Sequence, residues 1–170
     1  RESDERYRTL FESAEEGILI LDNERNRFTY ANPAICRMLG YSQEELRGMD
    51  RSAIHPREEW THVSSELEAQ AAGRKALATN IPCLTKDKTT IYVDISATTA
   101  VMNRRECRIS FLRDVTERKR IEDELLESEG KLQAMFESIA DGIIVTDLAG
   151  NIVRLNDATT ALYGCRRKEE

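Results

Sequence analysis

Only two histidines and four cysteines occur in 170 residues, and no glycine-rich loop is present that would cradle a phosphate. A catalytic centre needs a nucleophile with its base, paired carboxylates or a metal cluster. The sequence announces none of these, so catalysis is not expected from these residues. Cys36, Cys83, Cys107 and Cys165 are scattered, without the C-x-x-C spacing of a zinc site or redox pair, and read as small buried residues in a reducing cytosol. No apolar run approaches the roughly 18 to 20 residues that cross a bilayer, and the first residues lack a basic-then-apolar leader. A cytoplasmic chain with no membrane segment is expected. Basic charge is also in deficit: 25 Lys and Arg against 31 Asp and Glu give a net charge of −6. A nucleic-acid partner is not expected, because phosphate contacts need an excess of cations on one face.

What is there is a repeat. LFESAEEGILILD, from Leu10 to Asp22, recurs 125 positions later as MFESIADGIIVTD, from Met135 to Asp147, with six of thirteen residues identical. After a turn one residue shorter in the second copy, Asn32 aligns with Asn156, Ala34 with Ala158 and Gly40 with Gly164. An internal repeat bears on the whole fold. Here two copies start, and only the first has room for a full domain.

The first copy opens with a helical pattern over Asp4 to Glu15, from Tyr7, Leu10, Phe11 and Ala14 at spacings of three and four. Gly17 to Asp22 and Arg27 to Ala31 read as strands around the polar turn NERN. Asn32-Pro33 starts a short helix that Gly40 closes, and Ser42 with Glu45 has capping-box spacing for another. A longer helix is expected from Pro56 to about Ala72, ended by Gly73. Leu77 to Thr85, Thr90 to Met102 and Cys107 to Val115 read as a three-strand meander with turns KDKT and NRRE. In its middle strand Ile91, Val93, Ile95 and Ala97 fall on one face, and Tyr92, Asp94, Ser96 and Thr98 on the other.

Asn32-Pro33-Ala34, Leu39-Gly40-Tyr41-Ser42 with Glu45-Leu46-Gly48, Ile54-His55-Pro56 and the exit Asp114-Val115-Thr116-Glu117-Arg118 carry a resemblance. Residues 1–115 resemble a PAS domain with its PAC part, and residues 141–170 resemble the truncated start of a second one. The resemblance implies an α+β fold: a five-stranded antiparallel sheet in the order 2-1-5-4-3, short helices on one face enclosing a pocket, and a signalling helix after the sheet.

That helix is expected over residues 116–140, with Thr116 as its N-cap. Ile121, Leu125, Leu132, Met135 and Ile139 alternate steps of four and three as the a and d positions of a heptad do, with Ser128 interrupting the seam. This predicts pairing with a second helix, hence a coiled-coil homodimer; packing back onto its own domain is the alternative. Asp114, Thr116 and Arg118 mark the signal exit that the resemblance implies.

The expected function is the sensory input module of a multidomain signalling protein, a histidine kinase in the first instance. Kinase or diguanylate cyclase chemistry would lie beyond Glu170. The module would take a small ligand or a partner at a pocket among Ile54, Val63, Leu67, Leu77, Ile81, Val93, Ile95, Ile109 and Phe111, a set that an ordinary filled core would share. No cofactor is the first expectation. The next is a haem-based redox or gas sensor with His62 as iron ligand, against His62 as a solvated helix residue; no other metal is indicated. Flavin ranks behind, since GMDRSAIHP lacks the reactive cysteine of light-sensing relatives, and Cys36 lies on the Asn32 helix instead. His55 reads as a structural turn residue, and Trp60 as a cover for the core or a dimer contact. A ligand-free dimerisation scaffold is the remaining alternative.

Overall fold

A computed structural model describes residues 2–102 and 104–164, with side chains from residue 8 onward; the Tyr7 side chain, Asn103 of the second meander turn and Cys165 lie outside the described residues. The chain divides into two compact units, Arg1–Lys119 and Arg120–Glu170.

The first unit is α+β. Helix α1 (Glu2–Ser13) leads into β1 (Gly17–Asp22) and β2 (Arg27–Ala31), followed by the short helices α2 (Pro33–Leu39) and α3 (Gln43–Leu46). A 3₁₀ turn at Arg51–Ile54 precedes α4 (Trp60–Ala71), and β3 (Ala78–Leu84), β4 (Thr90–Met102) and β5 (Arg105–Asp114) complete an antiparallel sheet in the order β2-β1-β5-β4-β3. The order brings the first and last strands side by side at its centre. β1 is therefore buried on both faces. Its Leu19 and Leu21 join Phe28, Val93, Ile95 and Leu112 against Ile35, Leu39, Leu46, Ile54, Val63 and Leu67 from the helical layer. Ile18 and Ile20 face the other way, on the side where Phe11 of α1 meets Tyr30 edge-on at 4.7 Å between ring centroids.

Local chemistry explains the short helices. Asn32 caps α2 through its side-chain oxygen, Pro33 occupies the first helical position, and Gly40 closes the helix at φ 76°, a left-handed conformation that glycine adopts at no steric cost. Ser42 and Glu45 exchange both bonds of a capping box. Gly17 permits α2 to lie against β1: a Cβ there would stand 2.7 Å from Ile35 Cδ1.

α1 lies two residues earlier than the expected Asp4 to Glu15, β3 is one residue shorter at each end and β5 ends one residue sooner, at Asp114; three further boundaries differ for reasons the structure shows. α4 begins at Trp60 rather than Pro56, because His55, preceding a proline, is extended (φ −129°, ψ 150°), and Arg57 to Glu59 form a tight turn before Val63 N–H makes the first α-type bond, to Glu59. β5 begins at Arg105, pairing with Met102, so the expected NRRE turn is shorter. Helix α5 (Thr116–Ser138) stops before Ile139, whose carbonyl accepts from Asn156 Nδ2 at 3.1 Å. The last residue of the predicted seam is thus outside the helix.

In the second unit β6 (Ile144–Thr146) and β7 (Ile152–Leu155) form a hairpin followed by α6 (Asp157–Tyr163). It reproduces the start of the first unit in detail. Asn156 caps α6 at φ −84°, ψ 168°, as Asn32 caps α2 at φ −82°, ψ 167°.

Candidate functional site

Between the inner face of the sheet and the helical layer lies a small cavity of about 30 Å³. Its wall is mostly apolar, from Leu19, Leu21, Phe28, Ile54, Leu67, Ile95 and Leu112, and it is interrupted by Arg51, His55, Gln70, Arg108 and Ser110. Gln70 Nε2 donates to the Ala97 carbonyl at 3.0 Å, tying α4 to β4. His55 is buried, with Nδ1 2.7 Å from the Pro82 carbonyl. Since a carbonyl only accepts, Nδ1 carries the proton, and Nε2 is left as an acceptor. Burial pushes the His55 pKa down, against the opposing pull of that hydrogen bond, and the nearby Arg51 adds to the fall. The imidazole is therefore held neutral.

Arg51 enters the wall from the 3₁₀ turn, with its guanidinium carbon 5.6 Å from the Trp60 ring centroid. Burial also lowers the Arg51 pKa, and Arg108 acts in the same direction. Cys83, buried beneath His55, has its thiol pushed up to about 12 by burial, and Cys36 is raised for the same reason. Both are unreactive thiols at neutral pH.

Of the nine residues expected to form a pocket, Ile54, Leu67 and Ile95 line the cavity. Val63, Ile81 and Val93 are fully buried in the core around it. Leu77 precedes β3 and is 40% exposed. Ile109 and Phe111 stand on the opposite face of the sheet: they pair with Thr98 and Ser96 of β4 and with Ile20 and Ile18 of β1, whereas Leu112 pairs with Ile95 on the cavity side. Arg108 and Ser110 take the inner positions instead. Their alternation with Leu112 was visible in the sequence, but neither type is an obvious choice for an interior.

At the far end of β4 is the exit. Asp94, almost fully buried, accepts from Arg118 Nη1 at 3.2 Å and Nη2 at 3.3 Å, and from the Asn80 amide at 2.9 Å. Arg118 also reaches Asn80 Oδ1 at 3.1 Å. Thr116 is not the N-cap expected of it. Its hydroxyl accepts from Tyr92 N–H at 3.0 Å, and Asp114 Oδ1 takes the Thr116 amide at 2.8 Å and hydroxyl at 2.6 Å. The first turn of α5 is thus bonded to β3, β4 and β5 at once. Asp94 and Asn80 are partners that the sequence did not suggest.

A family model described as PAS domain matches residues 5–76 and 130–170, more than half of the chain. The chain belongs to the PAS domain family. Among curated proteins it is 28% identical over 136 residues to the methyl sulfide methyltransferase-associated sensor of Methanosarcina acetivorans, covering 79% of this chain and 13% of that protein. It is 24% identical over 153 residues to the sensor histidine kinase TmoS of Ectopseudomonas mendocina, covering 88% of this chain and 16% of that protein. The chain thus spans less than a fifth of the length of either relative. Among solved structures, the PAS domain of a protein from Desulfitobacterium hafniense aligns with a TM-score of 0.55 and 26% identity, over 62% of this chain and 98% of that one. This is a PAS sensory domain related to those of sensor histidine kinases.

The haem reading for this PAS domain does not fit its residues. His62 is exposed on α4, one position from Val63, which faces the core, and so stands outside the cavity. The histidine in the wall, His55, has one nitrogen committed to Pro82. Known pockets for cofactor-sized ligands run to roughly 300–1,000 Å³, against about 30 Å³ here. The same comparison rules against flavin, and Trp60 lies with its ring tilted over His55, at 5.8 Å between centroids, rather than over an open slot.

Proposed function

We propose that residues 1–115 are the sensor of a larger cytoplasmic signalling protein, that residues 116–138 relay its state as a paired helix, and that the second unit opens a further PAS domain. The observation that carries this reading is that cavity and exit share one strand: Ile95 and Ala97 of β4 line the cavity, and Asp94 of the same strand holds Arg118 of α5. A shift of β4 on ligand binding would be felt at the first turn of the helix, provided the helix has two arrangements whose balance it can bias. The matched segment over residues 130–170 and the repeated asparagine cap support the tandem arrangement. The seam residues of α5 are exposed within the chain, as a dimer contact requires. No helix among the described residues is long and apolar enough to cross a membrane. Phosphoryl transfer would belong to another segment of the longer protein, as the much greater length of TmoS suggests. A ligand-free scaffold accounts less well for a cavity walled in part by arginine.

The relay is tested in a fusion of residues 1–138 to the dimerisation and catalytic region of a sensor histidine kinase. Arg118→Ala should change the autophosphorylation rate several-fold. Lys86→Ala, which breaks only the surface pair with Glu45, should not. Equal rates in all three proteins would overturn the reading.

A further inference from the structure

The two copies hold their leading helices in matching ways, and the helix that leads the second copy is α5 itself. In the first unit Phe11 of α1 meets Tyr30 of β2 at 4.7 Å between ring centroids, and Asn32 donates to the Glu16 carbonyl at 2.9 Å. At the corresponding places of the second unit the guanidinium carbon of Arg154 stands 4.7 Å from the Phe136 ring centroid, and Asn156 donates to the Asp141 carbonyl at 2.9 Å. The second unit adds a contact that the first cannot make. The Asp157 N–H donates to Glu137 Oε2 at 2.8 Å, and Gln133 Nε2, one turn earlier on α5, donates to Oε1 of the same carboxylate at 2.6 Å. The residues that correspond to Glu137 and Asp157 are Glu12 and Pro33, and proline has no N–H to give.

Between residues 120 and 138, Gln133, Phe136 and Glu137 are half-buried and every other residue of α5 is exposed. Their spacing places them in one stripe on adjacent turns. It lies beside the seam, where Leu132 and Met135 stay open. The helix thus has one face free for pairing and another fastened to the second unit. Any rotation of α5 that rearranges the seam turns the stripe through the same angle. A carboxylate bonded to a backbone amide is a strong and directional contact. Little packing competes with it, since Ile144, Val145, Ile152 and Val153 of the hairpin are exposed.

We propose that Glu137, oriented by Gln133, is a positioning residue through which the state of α5 enters the second unit, displacing the start of α6 and with it Asn156 and β6. This rests on the relay reading above and extends it from the exit of one domain to the entrance of the next.

The test follows the amide chemical shifts of Ile143 and Thr159, both bonded to Asn156 Oδ1, in the 170-residue protein. Their displacement by Arg118→Ala is compared in the otherwise unsubstituted protein and in Glu137→Ala, Glu137→Gln and Asp157→Pro. Proline at 157 removes the N–H from a backbone suited to it, because Asn156 has ψ 168° where Asn32 has 167° before Pro33. The Asn156 side-chain amide signals, held by Ile139 and Asp141, report that the clamp survives each substitution. Arg118→Ala should displace both amides, and the displacement should fall roughly threefold or more in Glu137→Ala and in Asp157→Pro. Glu137→Gln, which keeps an acceptor oxygen without the charge, should lie between. A merely structural role would move the resting shifts and leave the response to Arg118→Ala intact. No displacement in the unsubstituted protein, or full displacement in both Glu137→Ala and Asp157→Pro, would overturn the proposal. The kinase fusion ends at residue 138, before the second unit, so a changed rate there without displacement here would reject this contact and leave the sensor reading standing.

Discussion

At Asn32 a single side chain satisfies four backbone groups. Its oxygen accepts from the Ile18 and Ile35 amides at 2.8 and 3.0 Å, and its nitrogen donates to the Phe11 and Glu16 carbonyls at 3.3 and 2.9 Å. It thereby fixes α1, β1 and α2 to one another while fully buried. Asn156 repeats the pattern on the Ile143 and Thr159 amides and the Ile139 and Asp141 carbonyls. Asn32→Ala would strand these partners, each buried and unpaired group costing roughly 1–3 kcal/mol with some relief from water. The expected loss of stability is about 3 kcal/mol by urea denaturation. Asn32→Asp, which keeps the acceptor and loses the donor, should fall between; a change below about 0.5 kcal/mol in the alanine variant would show that the chain relaxes around the gap.

Among the elements, α5 poses the sharpest energetic question. Its 23 residues bury none of their side chains, and Leu125 and Leu132 are 59% and 64% exposed. Helical stability in water comes largely from a buried apolar face, so a helix this exposed gains by pairing. Leu125→Glu with Leu132→Glu should shift the protein from dimer to monomer, weakening self-association at least a hundredfold by light scattering across a dilution series. An unchanged mass would reject the seam. The limits of β1, β2 and β4 were legible because turn residues bracket clear apolar runs, and the caps of α2 and α3 because they are made by neighbours in sequence. The face of β5 was not: Ile109 and Phe111 are apolar in one phase and Leu112 in the other, and α1 covers part of the outer face, so polarity does not choose between them. Pairing of Leu112 with Ile95 decides it, and that is a long-range fact. For the same reason Arg51 and Arg108 did not announce themselves as cavity walls, since charged residues are ordinarily read as solvated.

Across the whole molecule the two units share a beginning and differ in what covers it. In the first, β1 lies between β2 and β5 and all six of its residues are buried. In the second, the equivalent hairpin has two strands, and Ile144, Val145, Ile152 and Val153 are all exposed. An isolated two-stranded hairpin is marginal in water, and its free edges invite pairing with another chain. The asparagine clamp at 156 is fully made, so local bonding holds the second unit while the packing that stabilises the first has no counterpart among the described residues. In the monomeric Leu125→Glu, Leu132→Glu protein, amides of β6 and β7 should exchange with solvent at least a hundredfold faster than those of β1 and β5. In the dimer, slower exchange confined to β6 and β7 would point to pairing of these edges with a neighbouring copy. Protection in the monomer equal to that of β1 would mean that the clamp alone stabilises the hairpin, and the second unit would have to be counted a folded domain in its own right.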